Sequence, residues 1–300
     1  MQSFEMKMLP WNVAFGCGVL STLPVRLDAL GFKRAFAVGT SDRQAGIGQL
    51  GALLGKRIAG QFPRARMHVP MEIVAEARQL AEAAHADCTI AIGGGSATGL
   101  GKALALHADL PLIAIPTTYA GSEMTNIWGV TEDGRKRTGR DPKVLPVLTL
   151  YDPELTLGLP RTVTGPSAMN ALAQAVVNAH DRRANPITHR LALDAVQALA
   201  AALPEVFADE QNLAARERLL YGACLAGAAL GAGVTSLHHR LCHTLGGSYG
   251  TPHAETHTVL LPYTVAYAAP AVPDLMQAIA IALNAQRAAS GIFDLAVHLG

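Results

Sequence analysis

Ala91-Ile92-Gly93-Gly94-Gly95-Ser96-Ala97-Thr98-Gly99-Leu100-Gly101-Lys102 closes an apolar strand, turns on three consecutive glycines and opens a helix. A turn of that kind can cradle a phosphate. Glycine lets the backbone approach a ligand closely, and the N–H groups of a helix start, with the positive end of the helix dipole, attract a pyrophosphate. The strand feeding the turn is Cys88-Thr89-Ile90-Ala91-Ile92. Gly93-Gly94-Gly95-Ser96 replaces the spaced Gly-x-Gly-x-x-Gly of the common dinucleotide fingerprint. From this stretch alone, a glycine turn that merely packs a helix on a sheet reads the same way.

On either side of it, residues 1–154 alternate short apolar runs with helical periodicity, the pattern of a parallel sheet covered by helices. Strands are expected at Asn12–Phe15, Ala35–Val38, Cys88–Ile92, Leu112–Ile115 and Val147–Tyr151. Ile73, Ala77, Leu80 and Ala84 predict a helix within Met71–His85, and Asp133-Gly134 predicts a hairpin tip ahead of the basic run Arg135 to Arg140. After Asp152-Pro153 the chain turns Ala- and Leu-rich, which predicts helices at Pro166–Asp181, Pro186–Ala202, Asp209–Ala232 and Leu237–Leu245, with Pro160, Pro186 and Pro204 as punctuation. The fold class is therefore α/β: an N-terminal parallel-sheet dinucleotide-binding domain, 1–154, then an all-α substrate domain, 155–300, with the active site expected in the cleft between them.

Composition narrows the function. Of the 300 residues half are hydrophobic and only 16% charged, with a net charge of +1, so no phosphate backbone or anionic membrane is favoured as a partner. Cys17, Cys88, Cys224 and Cys242 are scattered without paired spacing, which suits reduced thiols. The N-terminus mixes charges early and carries no secretory signal, so a cytoplasmic location is expected. Tyr221 to Leu237 comes nearest to a membrane span but is marginal in length, and reads as a buried helix.

Five of the 11 histidines, His238, His239, His243, His253 and His257, fall within twenty residues. His239 and His243, one helical turn apart, project from one face, and the density points to acid/base or metal duties in a cleft. A metal would need further ligands. Where a helix should open the second half, the sequence offers Asn170 and Gln174, a ligand pair by spacing but with neutral amides, which bind divalent transition metals far more weakly than carboxylate or imidazole. No tightly held metal is expected. A second loop, Ile115-Pro116-Thr117-Thr118-Tyr119-Ala120-Gly121-Ser122-Glu123-Met124-Thr125, leaves a strand at the same sheet edge as the glycine turn, where its hydroxyls can bond a cofactor.

Together these tracts, with Gly139-Arg140-Asp141-Pro142-Lys143-Val144-Leu145-Pro146, Leu237-His238-His239-Arg240-Leu241-Cys242-His243 and Pro252-His253-Ala254-Glu255-Thr256-His257, resemble the iron-containing alcohol dehydrogenase superfamily, and within it the maleylacetate reductase branch. In the iron enzymes the metal ligands are an aspartate, a histidine one turn later and two further histidines. Asn170 and Gln174 stand at the first two positions here, and His239 and His253 keep the others. His243 falls where the family has a histidine beside the nicotinamide. Gly99 replaces the family's aspartate in the helix after the glycine turn, and members run on past the position of Gly300 with a last helical segment, so the second domain is expected to be truncated.

The resemblance implies NADH- or NADPH-dependent reduction of the carbon–carbon double bond of maleylacetate to 3-oxoadipate, without metal, by a homodimer in aromatic-compound catabolism. Cofactor contacts are expected from Gly93, Gly94, Gly95, Ser96, Thr117, Thr118, Ser122 and Lys136, and catalysis from His243, His253 and His239. His239, His253, Asn170 and Arg240 are expected to bind the dicarboxylate, with Lys136 and Arg137 as further cations. Val38-Gly39-Thr40-Ser41 lacks the carboxylate that would select NADH over NADPH, so both should serve. The rivals are a metal-dependent alcohol or polyol dehydrogenase and a non-catalytic dinucleotide-binding protein. Gly95→Val is expected to abolish NADH binding in calorimetry, and an unchanged affinity would reduce the cradle to a packing turn.

Overall fold

Six apolar runs lie side by side in one sheet: β1 (Val13–Phe15), β2 (Ala35–Val38), β3 (Ile58–Phe62), β4 (Cys88–Gly93), β5 (Leu112–Pro116) and, after the antiparallel hairpin of β6 (Ile127–Glu132) and β7 (Arg135–Arg140), β8 (Leu148–Tyr151). Their order is β1-β8-β5-β4-β2-β3 and every pairing is parallel. The structure, a computed structural model, describes residues 3–6, 8–41, 44–233 and 235–298.

Side chains alternate across the sheet, as the two-residue period of a strand requires. Cys88, Ile90 and Ile92 of β4 and Ile113 and Ile115 of β5 pack with Leu23 and Leu27 of α1 (Leu23–Leu30) and Ile47, Leu50 and Leu54 of α2 (Gln44–Leu54). Phe36, Val38, Ala91 and Leu112 face the opposite way, against Ile73, Val74, Ala77 and Ala81 of α3 (Met71–Ala83) and Ala97, Leu100, Ala103 and Leu104 of α4 (Gly95–Ala108). Burial on both faces is why these strands read as continuous apolar runs. The helix α4 lies close to the sheet, since a Cβ on Gly101 would come within 2.5 Å of Leu112 Cδ1.

On that helix stands Lys102, 1% exposed. Its ammonium donates to the carbonyls of Ser122 (2.7 Å), Thr125 (2.8 Å) and Ile127 (2.7 Å), with Thr125 Oγ1 at 3.0 Å. Burial pulls its pKa down to about 7, against the opposing charge of Glu123. Three carbonyls accept three protons, which a neutral amine could not supply, so we treat the group as an ammonium.

The other compact unit gathers residues 1–9, 118–121 and 156–300, the sheet unit holding Pro10–Thr117 and Ser122–Leu155. It is built from α5 (Arg161–His180), α6 (Pro186–Ala208), α7 (Leu213–Ala232), α8 (Leu237–Tyr249), α9 (His253–Ala268), α10 (Pro273–Ala282) and α11 (Ala288–His298). Asn185 and Asn212 cap α6 and α7 through their side-chain oxygens. Ala192, Ala195, Val196, Leu199, Ala202, Leu203 and Val206 make the buried stripe of α6, and Gly222 of α7 lets that helix approach Leu199. By length and apolar composition α6 is the single helix among the described residues that could cross a membrane, and α7 with α8, which include Tyr221–Leu237, pass that test only if the bent pair is taken as one span.

Some expectations from the sequence need correcting. Leu80 is 43% exposed, and the buried face of α3 runs instead through Ile73, Val74, Ala77 and Ala81. Pro204 and Pro166 sit inside α6 and α5 rather than ending or opening them. The strand β3 was not anticipated, because its only apolar side chains beside Ala59 are Ile58 and Phe62, and Gly60 is needed where a Cβ would press on the Phe36 ring at 3.1 Å. The Asp133-Gly134 tip does join β6 and β7, both residues taking positive φ. Lys102→Met would strand three carbonyls, and the expected loss in urea unfolding is about 3 kcal/mol or more. A loss under about 1 kcal/mol would mean that water replaces the ammonium.

Candidate active site

The glycine turn sits at the carboxyl end of β4. Gly93 has φ of +146°, which a side chain would strain, and a Cβ there would stand 3.0 Å from Ala97 Cβ. Gly94 is the N-cap of α4 and no side chain caps the helix, so its first N–H groups remain available to an anion. Around them Gly94, Gly95 and Ser96 are accessible while Ile92, Gly93 and Ala97 are buried. The N–H of Thr117 donates to Gly93 O at 3.0 Å, which brings the second loop to the same edge, and Thr117 Oγ1 is buried without a partner among the described residues. This geometry fits a dinucleotide's diphosphate.

From Thr117 to Thr125 the loop is held at almost every residue. In the sheet unit Lys102 binds Ser122 O and Thr125 O, Tyr151 OH donates to Glu123 Oε1 at 2.8 Å, and Trp11 Nε1 donates to Met124 O at 2.7 Å. In the helical unit the buried Arg216 donates to Tyr119 OH at 3.3 Å, and Gln174 Nε2 donates to Ala120 O at 2.7 Å, with Asn170 Nδ2 at 3.5 Å from the same oxygen. Gly121, at φ +72°, packs against Gly227 of α7, where neither glycine leaves room for a Cβ. Sequence reasoning missed Lys102, Tyr119 and Arg216 because their partners are distant in the chain. A lone lysine in an Ala- and Leu-rich helix was the one available signal.

All five clustered histidines do come together. His243 and His253 rings stack at 6.0 Å between centroids, His253 lies 4.5 Å from His257, and His239 lies 5.2 Å from His257 and 5.6 Å from His238. Thr264 Oγ1 is 3.0 Å from His238 Nδ1, and His238 Nε2 is 2.8 Å from His257 Nδ1. Both ring nitrogens of His239 and Nε2 of His257 are buried without a hydrogen-bond partner among the described residues. Burial lowers the pKa of His238 to about 4 and of His239 to about 3, and takes His257 well below its usual value, with neighbouring histidines adding to each shift. At neutral pH they are therefore uncharged donors and acceptors, not cations.

Asn170 and Gln174 share one face of α5, as their spacing requires, but their amide nitrogens turn to Ala120 O. Two amides and two imidazoles, with one amide already engaged in a 2.7 Å hydrogen bond, do not fit an iron ion. A different trio among the described residues, His238, Cys242 and His257, gathers its ligand atoms within 4.8 Å. These atoms bond to one another: Cys242 Sγ lies 3.7 Å from His238 Nε2, and burial pushes its thiol up to about 12. Arg240, on α8 beside His239, is exposed, and Arg137 is exposed and paired with Glu132 at 3.1 Å. Thr118, Ser122 and Lys136 lie on the second loop and on β7 respectively.

Comparison with known proteins places the chain. The profile of the iron-containing alcohol dehydrogenases matches residues 10–153, and that of the Fe-containing alcohol dehydrogenase C-terminal region matches residues 164–296. The chain belongs to the iron-containing alcohol dehydrogenase family and is an oxidoreductase. Within the family it is 50% identical over 289 residues to a maleylacetate reductase of Burkholderia cepacia, covering 96% of this chain and 82% of that one. It is 47% identical over 297 residues to that of Sphingobium indicum, covering 99% and 84%. The crystal structure of maleylacetate reductase from Rhizobium sp. strain MTP-10005 superposes with a TM-score of 0.95 at 47% identity, covering all of this chain and 85% of that one.

The histidine shifts carry a stability consequence. The unfolded chain takes up protons near pH 6.5 that the folded chain refuses until about pH 4, so stability present above 6.5 is lost as pH falls. Each buried imidazole should cost about 2 kcal/mol between pH 7 and pH 5. Urea unfolding at the two values measures this, and equal midpoints would show that the cluster accepts protons while folded.

Proposed function

We propose that this oxidoreductase reduces the carbon–carbon double bond of maleylacetate to give 3-oxoadipate, using NADH or NADPH and no metal, as a cytoplasmic homodimer in the breakdown of aromatic compounds, with neither nucleic acid nor membrane as a partner. The observation that carries it is the amide pair: Gln174 donates to Ala120 O at 2.7 Å at a position where the iron enzymes of the family place a metal ligand. The relatives' names and the half identity of the chains support the same substrate.

The chemistry agrees with that donor set. The alkene is conjugated to carbonyl groups, so hydride addition builds a delocalised enolate that hydrogen-bond donors can stabilise. A ketone reduced to an alcohol leaves a localised alkoxide, for which a metal is more useful. NADH or NADPH, held by Gly93, Gly94, Gly95, Ser96, Thr117, Thr118, Ser122 and Lys136, supplies the hydride when bound. His243 delivers the proton or donates to the enolate, while His239, His253 and Asn170 meet the substrate's carboxylate and carbonyl oxygens as hydrogen-bond donors. The catalytic and binding domains of this scheme are residues 155–300 and 1–154.

The test is oxidation of NADH and of NADPH by freshly prepared maleylacetate after prolonged EDTA treatment. Turnover with both cofactors is expected, and His243→Ala should lower kcat by about a hundredfold with cofactor affinity little changed. Activity that is lost on chelation and restored by Fe²⁺ or Zn²⁺ would return the protein to the metal-dependent alcohol dehydrogenases. NADH binding without turnover of any such substrate would make it a dinucleotide-binding protein only.

A further inference from the structure

His238 and Cys242 stand one turn apart on α8, and His257 meets them from α9. All three are buried, at 2%, 1% and 0% exposure, and one ligand atom from each lies within 4.8 Å of the other two. None of them is Asn170, Gln174, His239 or His253, which stand where the iron enzymes keep their ligands. Zinc bonds of about 2.0 Å to nitrogen and 2.3 Å to sulfur set neighbouring ligand atoms roughly 3 to 4 Å apart, close to the spacing already present.

The hydrogen bonds fix where the lone pairs lie. Thr264 has one hydroxyl proton and donates it to the carbonyls of Leu261 at 3.1 Å and Leu260 at 3.2 Å, so its oxygen accepts from His238 Nδ1–H at 3.0 Å. The neutral His238 ring therefore carries its lone pair on Nε2, which accepts from His257 Nδ1–H at 2.8 Å and has Cys242 Sγ at 3.7 Å. His257 is left with a lone pair on Nε2, buried with no partner among the described residues. An imidazole anchored through one nitrogen by a hydroxyl, with the other turned toward a thiol and a second imidazole, is oriented as metal-binding histidines are.

We propose that His238, Cys242 and His257 form a binding site for a thiophilic divalent cation of the zinc class, which ties α8 to α9 and takes no part in the reduction proposed above. The cation takes the His238 Nε2 lone pair as it stands. The His257 proton moves from Nδ1 to the idle Nε2, which frees the Nδ1 lone pair. The thiol gives its proton to solvent and binds as thiolate, so one proton leaves for each ion bound. Burial holds the free thiol up at about 12, and a hard cation such as Mg²⁺ gains too little from sulfur to displace that proton.

Titration of the metal-free chain with Co²⁺ reads the site directly, because a cobalt–thiolate bond absorbs in the near ultraviolet. The parent should develop that band and lose it when Zn²⁺ is added, and calorimetry of Zn²⁺ in buffers of different ionisation enthalpy should return about one proton released per ion. Cys242→Ser should give no band and bind Zn²⁺ about a hundredfold more weakly, while Thr264→Val, which keeps all three ligands but removes the oxygen that orients His238, should weaken it about tenfold. Zn²⁺ but not Mg²⁺ should raise Tm of the parent, and neither should move Cys242→Ser. A parent without the cobalt band, or equal Zn²⁺ affinity in parent and Cys242→Ser, would overturn the proposal. These readouts need no turnover, so a protein that fails to reduce maleylacetate would sink the proposed reaction and leave the cation site to be decided on its own.

Discussion

The ammonium of Lys102 ties the helix that follows the glycine turn to the segment Ser122–Ile127. Few ways exist to bury a positive charge without a carboxylate in contact, and here three backbone carbonyls and one hydroxyl take its place. Those carbonyls belong to the segment Ser122–Ile127, which joins a single 3-10 turn to the start of β6. The same lysine sits on the helix that starts at the glycine turn, so the turn and the loop are fixed to one rigid element. A cofactor binding to both would find its contacts arranged before it arrives, without having to order the loop.

The helical unit solves a related problem in another way. Five imidazoles are packed into one region, and burial keeps at least three of them neutral. Neutral imidazoles tolerate one another at centroid distances of 4.5 to 6.0 Å, whereas protonated ones would repel strongly. In the reaction proposed above they would serve by directional hydrogen bonding to a developing enolate rather than by charge. The positive charge that the proposed dianionic substrate calls for must come from elsewhere, and Lys136 is a cation partly desolvated by burial.

What could be read from the sequence was mostly local. Four of the six parallel strands are apolar runs buried along their whole length, and the glycine turn, the hairpin tip and the four-residue spacing of His239 and His243 are complete within a few positions. The missed strand β3 is apolar only through its neighbours, with Gly60 making room for Phe36. Leu80 misled because helical periodicity identifies a stripe and not which residue at its edge meets the sheet. The proline positions misled because a long helix can lose a hydrogen bond at Pro204 and continue when its buried stripe is packed on neighbours. Lys102 and Arg216 act through partners that topology alone brings near.

The amides at 170 and 174 are more than substitutes that happen to lack affinity for iron. The carbonyl of Ala120 points at both positions, and a carbonyl needs a donor. An aspartate at 170 would put a second acceptor within about 3.5 Å of that oxygen, where the amide places an N–H. At 174 the amide oxygen already stands 2.6 Å from where a Cβ of Gly121 would be, so the side chain is fitted to a loop that runs against Gly227 of α7. Regaining the ligand pair would therefore require moving the Tyr119–Gly121 segment as well. The amide pair and the path of this loop are one structural choice, and the loop's conformation depends on the donors that replace the ligands.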